Sequence, residues 1–259
     1  MSDAMRTDAA HAQRNERPTS LFETMGVFGG ELRLWDRHVA RLSASMRAHG
    51  DDSEIDADLL AQAKAQLAAA PRHDVLTLER VLPTSASAGL TLLRTRSRTS
   101  SPWARALGGE HVRLVPTVAC RAESELSADH KARPRTFYDR VLHEARAGGA
   151  DDGLVLGRDG ALLETAVGNV WLLLDTVWTT PPLDGRVLPG VARSLLLERA
   201  HKEGIPTAER PCYLPDLHRA DAICLSNAAF GVVPAGLVGS GEAELHSSLR
   251  RLWRFAVGD

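Results

Sequence analysis

Along this chain the apolar residues switch repeatedly between the two-residue period of a half-buried strand and the ~3.6-residue period of an amphipathic helix. Glycine, proline and serine stand at the changeovers. Such alternation reads as a mixed α+β fold with helices packed on sheets. The run SLFETMGVF, the Gly29-Gly30 turn and ELRLW read as a β-hairpin. Asp36 is then expected to cap a helix whose buried face is Val39, Leu42 and Met46, ending near Gly50. Ile55, Leu59, Ala63 and Leu67 describe a second helix, and VLTLERVLP, GLTLLRT and HVRLVPTVAC are further strands.

The segment Cys120 to Arg135, CRAESELSADHKARPR, is polar and follows neither period, so two domains are expected to meet there. The expected division is a tail to residue 18 too polar to order, a smaller α/β domain over 19–122, an interdomain segment over 123–134 and a larger domain over 135–259. In the larger part, Pro134 suits the first turn of a helix burying Tyr138, Val141, Leu142 and Ala145, stopped by Gly148-Gly149. GLVLG and ALLET flank Arg158-Asp159-Gly160 as a hairpin, and NVWLLL continues the sheet. PPLDGRVLPG feeds a helix from Val191 to Lys202, DAICLS and FGVVPA read as strands around Asn227, and a last helix carries Leu245, Leu249, Leu252 and Trp253.

Several functions are disfavoured. A formal charge of −2 asks for no polyanionic partner, so nucleic acid is not expected, and no stretch approaches the ~20 apolar residues of a membrane span. Without a secretory run at its N-terminus the chain is expected to be cytoplasmic. Cys120, Cys212 and Cys224 form neither a disulfide framework nor a CxxC pair. Phosphate-loop, GxGxxG, GxSxG and HExxH motifs are missing, and the ten histidines show no ligand spacing, so no metal is expected. Arg94, Arg96 and Arg98 alternate with small polar residues, the pattern of a solvated face.

Lysine is scarce: Lys64, Lys131 and Lys202 are the only three, and arginine supplies the other 28 basic residues. Lys64 flanks a helix and Lys202 complements a helix C-terminus, both ordinary placements. Lys131 falls in the non-periodic ADHKARPR segment, where it is either a plain loop lysine or a nucleophilic amine.

The surroundings of Lys131 resemble the class IV (fold type IV) pyridoxal-phosphate aminotransferase family, and more narrowly its aminodeoxychorismate lyase-like branch. The resemblance rests on His130-Lys131 with Arg135 and Tyr138-Asp139, on Glu23-Thr24, on His38, Arg41 and Leu42 in an HxxRL arrangement, and on LLETAVGN, LPGVAR and LSNAAFGVVPA in order. It implies the two-domain D-amino acid aminotransferase-like fold with a barrel-like C-terminal domain, pyridoxal 5'-phosphate between the domains, a homodimer and a small amino-acid-like substrate.

By that resemblance Lys131 condenses with the cofactor aldehyde and later moves protons, and Glu164 keeps the pyridine nitrogen protonated. Arg41, the helix start at Val191 and Ala192, and the Asn227-Ala228 turn bind the phosphate. Arg135 is either a substrate-carboxylate ligand or a solvated charge. Thr24 is either a hydroxyl aimed at substrate or a plain strand residue, and Tyr138 reads as core packing. Asn169 is expected to tether the loop after Glu164. The implied activity is 4-amino-4-deoxychorismate lyase, with alternatives in a transaminase of branched-chain or D-amino acids and in a non-catalytic cofactor- or partner-binding homologue. One departure bears on the substrate: where relatives carry an arginine after Glu-Thr-Met, this chain has Gly26.

Overall fold

A computed structural model describes residues 17–99, 101–121, 129–239 and 247–257. The tail expected to be disordered lies almost wholly outside them, as do half of the interdomain segment and Leu245.

Strand β1 (Ser20–Phe28) turns back through Gly29 and Gly30, both at positive φ, into the short β2 (Glu31–Leu32). Helices α1 (Trp35–Ala48) and α2 (Leu59–Ala69) follow, then β3 (Val75–Val81) and β4 (Leu90–Arg96). The sheet runs β2-β1-β3-β4 and is antiparallel throughout. Period-two alternation divides β1 cleanly. Leu21 and Met25 join Leu76 and Leu78 of β3 against Leu42 and Met46 of α1 and Leu59 and Ala63 of α2. Phe22, Thr24 and Gly26 therefore face the other way.

The second sheet has eight strands. They are β5 (Val112–Arg121), β7 (Asp152–Gly157), β8 (Leu162–Thr165), β9 (Asn169–Leu174), β10 (Val177–Thr180), β11 (Thr207–Glu209), β12 (Ala222–Asn227) and β13 (Gly231–Leu237). Their order is β11-β10-β9-β12-β13-β5-β7-β8. Every residue of β9 is buried, because both faces of the sheet are covered. Val170, Leu172 and Leu174 pack with Leu154, Leu225 and Val233. Trp171 and Leu173 pack on the opposite face with α5 (Val191–Lys202) and α7 (Ser247–Val257) through Leu195, Leu196, Leu249, Leu252 and Trp253. Helices α3 (Pro102–Leu107), α4 (Thr136–Ala147) and α6 (Leu214–Arg219) complete the fold.

Four local expectations are corrected. Strand β5 pairs with β13 and β7, so residues 112–121 belong to the large sheet and not to the unit expected over 19–122. Within the supposed linker, Ala132–Arg133 form β6, a two-residue strand paired with Ser20 and Leu21 of β1. Pro134 precedes α4, whose N-cap is Arg135. Asp36 lies in the first turn of α1 while Leu34, left-handed at φ 62, is the N-cap, so the exit from the hairpin and not a side chain starts the helix. Cys212 and Cys224 are both buried.

Candidate active site

The cavity-facing side of β1, the start of α5 and the loops at the ends of β8, β9 and β12 enclose a cavity of about 300 Å³. All nine residues singled out from sequence border it: Thr24, Arg41, Lys131, Arg135, Glu164, Val191, Ala192, Asn227 and Ala228.

Lys131 is fixed by its backbone, since its carbonyl accepts the Phe22 N–H at 2.8 Å and the chain continues directly into β6. Its ammonium lies 5.1 Å from the Phe22 ring centroid and takes no hydrogen bond among the described residues. Burial, with help from the charges of Arg41, Arg135 and Arg133, brings the amine down from 10.5 to about 7, and Glu23 opposes the shift. An amine so placed is half neutral near pH 7, the condition a nucleophile or proton carrier needs.

Glu164, on β8, is 3% exposed. The Tyr138 hydroxyl donates to Oε1 at 2.6 Å and the Leu188 N–H to Oε2 at 3.1 Å. Tyr138 therefore does more than pack: its ring joins Phe137 and Val141 while its hydroxyl holds the carboxylate. Behind this strand, buried Asp152 accepts from the N–H groups of Gly153 and Ala166, and burial raises its carboxyl to about 6. Arg135 donates to the Ala166 carbonyl at 2.6 Å, so it borders the cavity as a brace of the 165–168 turn.

Across the cavity Arg41 donates through Nε and Nη2 to Glu23 at 2.7 and 2.5 Å, and through Nη1 to the Pro189 carbonyl at 2.8 Å. Burial alone would raise the Glu23 carboxyl, but Arg41 and the His38 ring, 2.6 Å away, hold it at about 2. Burial lowers His38. Three of the five guanidinium N–H groups of Arg41 are thus engaged, and two remain for a ligand. Beside it, α5 begins at Gly190 without a side-chain cap, so its first amides are open to an anion. A Cβ on Gly190 would stand 2.0 Å from Asn169 Oδ1, and Asn169 donates to the Leu188 carbonyl. Asn169 thus holds the 188–190 loop, whereas the loop after Glu164 that it was expected to tether is held by Thr165, whose hydroxyl donates to the Gly168 carbonyl, and by Asn227, which donates to the Val167 carbonyl. The Asn227 Oδ1 accepts from Ala229 and Phe230, and the Ala228 carbonyl accepts from Gly26, which joins this turn to β1.

Sequence reasoning left Phe22, Arg96 and Arg133 out of the site, and all three border the cavity. Strand alternation from Thr24 was the available signal for Phe22. Among the described residues no group of three or more His, Cys, Asp or Glu is placed to hold a metal ion, and no helix is long and apolar enough to cross a membrane.

The family model for class IV aminotransferases matches residues 20–238. The branched-chain-amino-acid aminotransferase of Escherichia coli K12 is 32% identical over 139 residues, covering 51% of this chain and 45% of that protein. The chain spans less than half the length of the curated relatives it matches. The crystal structure of 4-amino-4-deoxychorismate lyase from Pseudomonas aeruginosa is 27% identical at a TM-score of 0.72, covering 90% of this chain and 88% of that one. A hypothetical aminotransferase from Mycobacterium tuberculosis in its PLP-bound form, 22% identical, shares the fold at a TM-score of 0.78, over 93% of this chain and 89% of that one.

Proposed function

This chain belongs to the class IV aminotransferase family, and from that premise we propose that it is a pyridoxal-phosphate-dependent 4-amino-4-deoxychorismate lyase, releasing pyruvate and leaving 4-aminobenzoate. The observation that carries the reading is a lysine amine brought to about 7 in the same cavity as a buried, hydrogen-bonded carboxylate. The likeness to a lyase over 90% of the chain and the HKxxxRxxYD pattern from His130 to Asp139 support the lyase branch.

The donor set fits the cofactor. The uncapped amides of Val191 and Ala192, the two remaining N–H groups of Arg41 and the Asn227-Ala228 turn would hold its phosphate. Glu164, itself steadied by Tyr138 and Leu188, would hold its ring nitrogen. Bound there, pyridoxal phosphate supplies an electron-withdrawing ring joined to the amino-bearing carbon of the substrate. Lys131 supplies the aldehyde's amine partner. As a free amine it would accept the proton from that carbon and, as an ammonium, would return a proton to the departing enolpyruvyl group, which would leave as pyruvate. Thr24 and Arg135 flank the space left for substrate.

A second reading, transamination of branched-chain or D-amino acids, is supported by the E. coli relative. One assay separates them. Loaded protein given aminodeoxychorismate should release equal amounts of pyruvate and 4-aminobenzoate, and Lys131→Ala none. Amino-group transfer that requires a second keto acid would replace the lyase reading. Bound cofactor with neither reaction would make the chain a non-catalytic homologue.

A further inference from the structure

Three arginines of β4 and its extension, Arg94, Arg96 and Arg98, share a period of two and so point to one face of the small sheet. Arg94 and Arg96 are exposed, as a solvated row would be, and Arg98 departs from it. Arg94 is paired with Glu79 at 3.4 Å. Arg98 is buried: it pairs with Asp74, donates to the Val27 and Asp74 carbonyls, and lies 4.7 Å over the Phe28 ring. Arg96, between them, has no ion pair or hydrogen bond through its side chain among the described residues, and it borders the active-site cavity.

The other cations of that wall have partners. Arg41 is bonded to Glu23 and Pro189, Arg133 to Glu79, and Arg135 to Ala166. Lys131 has its own chemistry. Among the described residues, the Arg96 guanidinium is the one on this wall with no partner of its own.

The strand register gives its position meaning. Gly26 of β1 pairs with Val75 of β3, and Val75 pairs with Arg96 of β4, so the three lie in one row with their side-chain positions on one face. Gly26 carries no side chain, and a Cβ there would stand 2.5 Å from the Phe28 ring and 2.7 Å from the Ala229 carbonyl. No arginine fits at 26. Two strands across, at roughly 10 Å, the same row ends in an arginine whose stem can lie along apolar Val75.

We propose that Arg96 is a specificity-determining residue that binds a carboxylate of the substrate, taking over laterally what position 26 cannot supply, so that preferred substrates are amines carrying a carboxylate at that end of the cavity. This rests on the cavity being the substrate site proposed above. The cofactor phosphate is the other anion available, but its donors are already gathered at Arg41, the α5 start and the Asn227 turn.

The test uses the full chain loaded with pyridoxal phosphate, as wild type, Arg96→Met, Arg96→Lys and the control Arg94→Met. Calorimetry with succinate and with succinamide, same-sized probes with and without charge, should show succinate preferred by wild type. Arg96→Met should weaken succinate binding about 10- to 100-fold, Arg96→Lys less, and Arg94→Met should match wild type. Pyridoxal phosphate affinity should be unchanged in all four. With aminodeoxychorismate, Arg96→Met should raise KM by a similar factor and leave kcat within about twofold. The inference is overturned if wild type does not prefer succinate, if Arg96→Met binds succinate as wild type does, or if the variant's loss falls on the cofactor. Absence of pyruvate from wild type would sink the lyase reading and leave the succinate result to decide on Arg96.

Discussion

Lys131→Met replaces the buried amine with a neutral chain of similar volume, and the pH dependence of its effect follows from the site. Lowering the amine from 10.5 to about 7 corresponds to roughly 5 kcal/mol disfavouring the charged form in the fold, at ~1.4 kcal/mol per unit. Because the ammonium borders a cavity that water enters, about half of this, ~2–3 kcal/mol, is expected in solution. Below about pH 7 folded and unfolded chains both carry the proton, and the folded protein bears the whole penalty. Between about 7 and 10.5 the folded chain has released the proton and the unfolded chain still holds it, so wild-type stability climbs with pH. The methionine variant has nothing to titrate there. Urea unfolding of both proteins freed of cofactor should show Lys131→Met more stable by ~2–3 kcal/mol near pH 6, with the gap narrowing steadily toward pH 9. A variant no more stable than wild type near pH 6, or a gap that does not change with pH, would refute the claim that this amine is held neutral by its surroundings.

Tyr138→Phe removes the 2.6 Å donor to Glu164 and should cost about 2 kcal/mol in urea unfolding and weaken pyridoxal phosphate binding in a spectrophotometric titration; no change in either would make the tyrosine mere packing. Gly26→Ala puts a methyl against the Phe28 ring and the Ala229 carbonyl and should destabilise by about 1–3 kcal/mol in the same assay, whereas full tolerance would contradict the close approach. Asp152, raised from 3.8 to about 6 by burial, binds its proton more tightly folded than unfolded, so stability falls as pH rises between those values. Asp152→Asn should lose that part of the slope, and unfolding midpoints that keep it would assign the slope elsewhere.

What the sequence disclosed was what local chemistry writes down. The Pro189-Gly190 start of α5 lies where the dipeptide marks it, because the signal and the structure occupy the same few residues. NVWLLL is a fully buried strand because an unbroken apolar run suits a sheet covered on both faces. Strand pairing is different in kind. Nothing in HVRLVPTVAC says that its neighbours are β13 and β7, more than thirty residues away, and so the boundary of the small unit was drawn one strand too late. Arg98 was misjudged for the same reason. The alternation is legible, but which of the three arginines meets solvent and which is buried depends on Phe28, Asp74 and Phe230, which come from elsewhere in the chain.

Glu23 carries that argument to the chemistry of the site. Read along the chain it is a strand residue next to Thr24. Placed in the sheet it lies on the opposite face from Thr24, against α1, where it meets Arg41 and His38. The alternation of β1 thus sends Phe22 and Thr24 to the cavity and Glu23 behind it, and the helix returns Glu23's influence to the cavity through the Arg41 guanidinium. A single strand can in this way furnish the apolar wall beside Lys131 on one face and the counter-charge that orients Arg41 on the other. The period of two was visible in the sequence. That the two faces serve one site becomes visible only when α1 is packed on the sheet.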